Sequence, residues 1–291
     1  MLGGLIAFKA GMLHLLTTDD RDKTPNFGKP LFNPATVLVA PQMHVCGLRA
    51  YAFSDGATYA ARDVYDYDFP LFSGAKKKRT VPEQLQDVPK PEAIHRLFAL
   101  VAVTPSDAGL GQKSPYLMEI PVVGGDTAAQ LEMLKGLVGK KVSLHDQLPS
   151  GSVVDVVAVS RGRGFEGPVT RMGVKRKQHK SRKSVRAVGV LSPWHPHGVM
   201  YTVPRGGQMG FHQRVEYNHK IMMAGDEASS PITPRGGFPH FGVLKGSYLV
   251  LKGSVPGPAR RPVVVRLPLR PPTKRPKAPQ VMMISTKVSA S

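Results

Sequence analysis

The chain has one cysteine, Cys46, in 291 residues. A single thiol excludes an intrachain disulfide and any zinc site built on several cysteines, and it points to a reducing compartment. No run of 18 apolar residues occurs, so no membrane-spanning helix is expected. The apolar opening MLGGLIAFKAGMLHLL has no basic region before it and no small-residue cleavage site after it, and Lys9 and His14 interrupt it. A signal peptide is therefore not expected. The scarcest feature of the second part is negative charge: between Glu166 and Glu216 there is no Asp or Glu.

What stands there instead is positive charge. Residues 1–160 hold 16 Lys/Arg and 16 Asp/Glu, a net of zero, whereas residues 161–291 hold 24 Lys/Arg and 4 Asp/Glu, a net of +20. A solvated face interleaves signs, because like charges repel. A one-sided excess calls for a polyanion, and nucleic acid is the usual one. A membrane surface fits less well, since the basic stretches lack an amphipathic helical period.

Along the chain, GLIAFKAGMLHLLT, ATVLVAP and HVCGLRAYAFS read as short strands bounded by Gly, Pro, Asn and Asp. An Asp- and Tyr-rich stretch follows, then KKKR at 76–79, which reads as a solvated loop turn. Three prolines in VPEQLQDVPKPE argue against one continuous helix. RLFALVAVTP and YLMEIPVV read as buried strands. The clearest helix starts at Asp126 or Thr127, with Thr127-x-x-Gln130 as a capping box, Leu131, Leu134 and Val138 as its apolar face, and Gly139 as its stop. SVVDVVAVS is a further strand. GFPHFGVLKGSYLVLKG returns to hairpin-like strands, and SVPGPARRPVVVRLPLRPPTKRPKAP reads as an extended, Pro-rich basic tail.

The strand SVVDVVAVS runs into Gly162-x-Gly164-x-x-Gly167, the spacing of a dinucleotide-binding turn. That chemistry needs a helix N-terminus aimed at the pyrophosphate and an acidic ribose partner about 20 residues on. Here Pro168 follows at once, no helical period is visible, and the acidic partner is missing. The glycines are read as a bend with little room for side chains.

Other catalytic patterns fail in turn. There is no nucleophile elbow and no G-K-[ST] phosphate loop. His195-x-His197 with His212 could in principle hold a hydrolytic metal, which makes a metal-dependent RNA-processing enzyme the alternative reading. Against it, 13 Lys/Arg in residues 161–220 disfavour a divalent cation.

The RNA reading uses the same residues better. Lys175, Arg176, Lys177, Lys180, Arg182, Lys183 and Arg186 form a dense basic run, preceded by Arg161, Arg163 and Arg171 and with His179 inside it. Trp194, His195, His197, Tyr201, Phe211, His212 and Tyr217 supply flat faces interleaved with Arg205 and Arg214. Cations for phosphates and planes for unstacked bases are the pairing that folded RNA requires. Residues 161–220 cannot bury enough apolar surface to order themselves.

The block GRGFEGPVTRMGVKRKQHKSRKSVRAVGVLSPWHPHGVMYTVPRGGQMGFHQRVEYNHKI closely resembles the large-subunit ribosomal protein three family, in its archaeal and eukaryotic branch and on the archaeal side. So do GLIAFKAGMLH, GGFPHFGV, YLVLKGSVPGPARR and the middle segment ALVAVTPSDAGLGQKSPYLMEIPVVGG. The resemblance implies a mainly β protein, a six-stranded translation-protein β-barrel with an α/β insertion, a long rRNA-penetrating loop and a basic C-terminal extension. On this sequence that gives barrel segments at 1–56, 142–160 and 221–258, an insertion at 57–141, the loop at 161–220 and the extension at 259–291. It also implies a structural, non-enzymatic role in the cytoplasmic ribosome, without cofactor, metal or small-molecule substrate. The partners implied are large-subunit rRNA and neighbouring large-subunit proteins. Trp194 matches the tryptophan at the loop tip near the peptidyl transferase centre, with His195 and His197 beside it. Arg205 and Gln208 fall on the returning limb, and Arg260 and Arg261 add contacts at the C-terminal extension. Members of the family ordinarily carry a basic arm before GLIAFKAGM, and contacts of such an arm are not expected from these residues.

Overall fold

The computed structural model describes residues 1–72, 79–143, 148–273 and 277–285. Most of KKKR, residues 76–78, lies outside them. The chain divides into two compact units, one made of Met1–Ala158 with Val215–Ser291 and the other of Val159–Arg214.

In chain order the elements are β1 (Gly4–Thr18), β2 (Pro30–Val39), β3 (Met43–Ser54), β4 (Ala57–Tyr65), α1 (Val81–Gln86), β5 (Arg96–Val103), β6 (Tyr116–Pro121), α2 (Thr127–Leu137), β7 (Lys141–Val142), β8 (Val153–Val159), β9 (Gly164–Glu166), α3 (Pro168–Met172), β10 (Gly207–Met209), β11 (Gln213–Asp226), β12 (Ser247–Lys252), β13 (Pro262–Arg266) and β14 (Val281–Ile284). The protein is mainly β.

The first sheet runs β13-β8-β11-β12-β2-β1-β14, and β13 also pairs with β1, so the hydrogen-bonded path through six strands returns to its start. The length of β1 makes this possible. Gly4–Phe8 pair with β13, and Leu15–Thr17 pair with β14, while β2 runs along the other side. The register of β1 against β2 slips between Lys9 and Gly11, a bulge of the kind that bends a strand. Where β1 meets β13 the backbones are too close for a side chain: a Cβ on Gly4 would lie 2.5 Å from the carbonyl oxygen of Val265. Val154, Val156 and Ala158 of β8 alternate inward, as do Val263 and Val265 of β13. Period-2 alternation is what one buried face demands. Ile6, Phe8, Val37, Val39, Leu249 and Leu251 complete that core.

The second sheet has the order β4-β3-β5-β6, with β7 also on β3. Here the structure differs from the boundary drawn at residue 56. β3 hydrogen-bonds to β4, β5 and β7 rather than to β1 or β2, so the α/β part begins before residue 57. β3 is buried or half-buried from Met43 to Ala52, which its run of small and apolar residues permits. The tail also differs: Pro262–Arg266, read as extended Pro-rich extension, is a strand of the first sheet.

The helices show two local departures. As the prolines imply, residues 81–92 are not one helix: α1 ends at Gln86, and Pro82 sits in its first turn, where a missing N–H costs nothing. The backbone N–H of Thr80 donates to Glu83 Oε2 at 3.2 Å. Asp126 takes the N-cap position of α2 without a side-chain cap bond, and no Thr127–Gln130 box forms: Thr127 Oγ1 donates to Pro91 O at 3.1 Å, and Gln130 Nε2 reaches back to Gly124 O and Gly125 O. Leu131 and Leu134 are the buried face of α2. α3 follows Gly167 directly, where no helix was expected. Pro168 at its first position is pre-set for a helix, and the element stops after five residues at Gly173.

Candidate nucleic-acid interface

Val159–Arg214 contains 12 Lys/Arg and one carboxylate, Glu166. None of its residues is buried. A segment with no core draws no hydrophobic stabilisation of its own to set against the entropy of ordering.

What order it has comes from a short backbone stem. β9 and β10 pair antiparallel, with Gly207 opposite Glu166, Gln208 opposite Phe165 and Met209 opposite Gly164. Below them Arg163 N donates to Met209 O at 2.9 Å and Ser160 N to His212 O at 2.9 Å. The return donor, His212 N, reaches Ser160 Oγ at 3.2 Å. Gly210 has φ 72°, and a Cβ there would lie 1.9 Å from Arg161 O. Only glycine fits.

At two glycines of the G-x-G-x-x-G pattern the protein itself does not crowd the backbone. A Cβ at Gly164 or Gly167 would meet nothing within 4 Å, and Gly164 is favoured by its φ of 70° instead.

Several predicted contact residues are partly committed to the chain itself. Arg171 crosses the stem, donating from Nε to Gln208 O and from Nη1 to Arg205 O, both at 3.1 Å. Arg186 Nη2 donates to Thr170 Oγ1 at 3.1 Å, Arg214 Nη1 to Gln213 O at 3.1 Å, and Gln208 Nε2 to Gly210 O at 3.2 Å. The cations beyond the stem differ. Among the described residues, Lys175, Arg176, Lys177, Lys180, Arg182 and Lys183 make no side-chain hydrogen bond or ion pair, and all are exposed except the half-buried Lys177. They leave six charges available for phosphate.

Residues 187–204 then hold no Lys, Arg, Asp or Glu. Within this neutral stretch Trp194 is 82% and Tyr201 98% exposed. Phe165 on β9, 81% exposed, is a flat face that the sequence reading did not single out. An isolated aromatic in GRGFEG carries no periodic signal. Aromatic planes without charge suit bases rather than phosphates.

The histidines separate. The rings of His195 and His197 lie 4.7 Å apart, edge to face. His212 is paired through its backbone to Ser160 in the stem. Among the described residues no group of three His, Cys, Asp or Glu could hold a metal ion, so the metal-centred alternative finds no support. Thiol chemistry is equally distant, because burial pushes the Cys46 thiol up to about 12.

Arg260 and Arg261 belong to the larger unit. Arg260 is exposed with φ 70°, and its N–H donates to Lys9 O at 2.8 Å, while Lys9 N donates to Arg261 O at 3.2 Å. Lys9 Nζ donates to Val255 O and Gly257 O, and burial pulls it below the ordinary lysine value. One lysine thus ties β1 to the turn that sets out the two arginines.

Residues 65–290 match the family model described as Ribosomal protein L3. The chain is 41% identical to the large ribosomal subunit protein uL3 of Pyrobaculum aerophilum, over 97% of this chain and 87% of that protein. It is 37% identical to the protein of that name from Methanocella arvoryzae and 39% identical to that from Methanococcus vannielii, with 97% and 87% covered in each case.

Proposed function

Because the chain belongs to the ribosomal protein L3 family, we propose that its two units divide a structural task in the large ribosomal subunit, with Val159–Arg214 as the part held by RNA. The protein is a structural constituent of that subunit, and its place is the ribosome in the cytoplasm. The finer assignments are our own reading. The closed path β1-β2-β12-β11-β8-β13 is the six-stranded translation-protein barrel, and the second sheet with α2 is the insertion. Residues 159–214 are the loop that runs through large-subunit rRNA toward the peptidyl transferase centre. Trp194 stands at its tip, and Lys175 to Arg186 meet phosphates along its length. The role is not enzymatic: the loop supports early subunit assembly and shapes the region where aminoacyl-tRNA is accommodated. Neighbouring large-subunit proteins are the remaining partners.

One observation carries this reading: 56 consecutive residues with 12 cations, one carboxylate and no buried side chain. Beyond its short stem, such a segment is ordered by a polyanion or not at all. The test compares two changes by sucrose-gradient profiles and peptide-bond assays. Lys175, Arg176 and Lys177 changed together to Glu should block incorporation into the large subunit, because the loop cannot thread through phosphates. Trp194→Ala should leave incorporation nearly intact and alter peptide-bond formation, aminoacyl-tRNA entry or drug sensitivity, since one base stack contributes only about 1–3 kcal/mol. The opposite pattern would mean that the tip and the phosphate-contacting run are wrongly assigned.

A further inference from the structure

A cavity of about 760 Å³ opens in the larger unit, bordered by β1, β2, β8, β11 and β12. Small-molecule sites run from roughly 300 to 1,000 Å³, so the volume suits a guest of nucleotide size. Leu31, Val153 and Met222 give it apolar walls.

Two polar groups in the wall are incompletely satisfied. Asn33 is only 6% exposed, and its Nδ2 donates to Thr17 Oγ1 at 2.7 Å and to Leu31 O at 3.4 Å. Its Oδ1 accepts no hydrogen bond among the described residues and is not among the buried atoms left without a partner, so it stays open to the cavity. Lys252 makes no side-chain hydrogen bond or ion pair among the described residues. Lys220 beside it is spent on Asp20 at 2.6 Å. Burial, followed by the charges of Arg21 and Lys220, pulls Lys252 below the ordinary lysine value.

The remaining charges leave the wall positive. Arg21 is held flat against Asp19 by two bonds of 2.9 Å, which fixes its guanidinium as a plane. With Asp19 and Asp20 paired off, the lining is left with one carboxylate, Asp22, and two cations, Lys252 and Lys277.

We propose that this cavity receives one unstacked nucleotide of single-stranded RNA. Its phosphate meets Lys252, a donor on the base edge meets Asn33 Oδ1, and the base lies against Leu31 and Met222 with the Arg21 plane at the rim. Arginine planes and apolar walls are how splayed bases are held. The ribosomal reading enters only as the source of the strand.

The test uses the full chain and a trinucleotide with a central 4-thiouridine, irradiated and mapped by mass spectrometry. Cross-links are expected in peptides containing residues 31–33 or 220–222, besides those in 159–214. Lys252→Met should lower the yield at the cavity peptides by about tenfold, the loss of one charge-assisted contact. Leu31→Trp, which narrows the cavity from its rim, should do the same while loop cross-links persist. Absence of cavity cross-links, or yields unmoved by both changes, overturns the proposal. Competition by 5′-UMP as effective as by the trinucleotide would overturn the strand as the source. Gradient profiles on the same variants keep this result separate from ribosomal incorporation.

Discussion

Asp155 of β8, fully buried, accepts the backbone N–H of Asn218 of β11 at 3.0 Å through one oxygen and that of Leu269 at 3.0 Å through the other. One carboxylate thereby joins β8, β11 and the chain leaving β13. Asn218 has φ 59°, so the bond holds the backbone in a conformation that L-residues seldom take. Asp155→Ala should destabilise the protein by about 2–3 kcal/mol, because two amides lose a charged acceptor inside the protein. Urea unfolding measures this, and a change under 0.5 kcal/mol or so would show the contact to be dispensable.

The second sheet should carry an acid-sensitive contribution. Arg49 holds Asp63 through two bonds of 2.6 Å, and Tyr65 donates to the same carboxylate at 2.7 Å. The Arg49 guanidinium and the Tyr65 hydroxyl hold the Asp63 carboxyl below the usual range. A depressed folded value adds stability above the unfolded value, near about 3.9, and loses it as pH falls through the folded one. The urea midpoint should therefore drop below about pH 4. Arg49→Met should flatten part of that drop.

How far the sequence discloses this arrangement depends on the length of each element. β1, β2, β5, β6 and α2 each carry enough periodic residues to be read directly. So does the charge step at residue 161, which sets in within three residues of the start of the second unit at Val159. β9 and β10, at three residues each, carry no period and are visible only through their pairing. The place of β3 in the second sheet is a question of partners, and alternation does not name partners. Likewise Val263 and Val265 read as part of a Pro-rich tail until β1 and β8 are seen on either side. In the candidate interface the basic residues are plain in the sequence. That Arg171 is spent on backbone carbonyls while Lys175 to Lys183 are not is a matter of geometry.

Gly210→Ala should open the stem. The strained φ alone costs about 1–3 kcal/mol, and the Cβ would also collide with Arg161 O. Amide exchange at Arg163 should accelerate in this variant. Gly167→Ala, at φ −73° with open space around it, should leave that amide unchanged. Equal behaviour of the two would show that the stem does not depend on close backbone approach.

In the free protein, amides from 174 to 203 should exchange fastest, because no side chain there is buried. The stem amides of Arg163 and Ser160 should exchange more slowly. Addition of a large-subunit rRNA fragment should protect the whole segment. Strong protection across 174–203 without RNA would mean that the segment orders itself.

The central claim is that the unpaired cations of 159–214 meet phosphate, and the salt dependence of binding tests it most directly. Affinity for an rRNA fragment should fall on the order of 10³–10⁵ between about 50 and 200 mM salt if roughly 6–10 phosphates are neutralised. Changing Lys175, Arg176, Lys177, Lys180, Arg182 and Lys183 together to Gln should reduce the slope of log affinity against log salt by about 4–5. A slope that stays the same in the sixfold variant would contradict the account, because the charge excess would then serve something other than RNA.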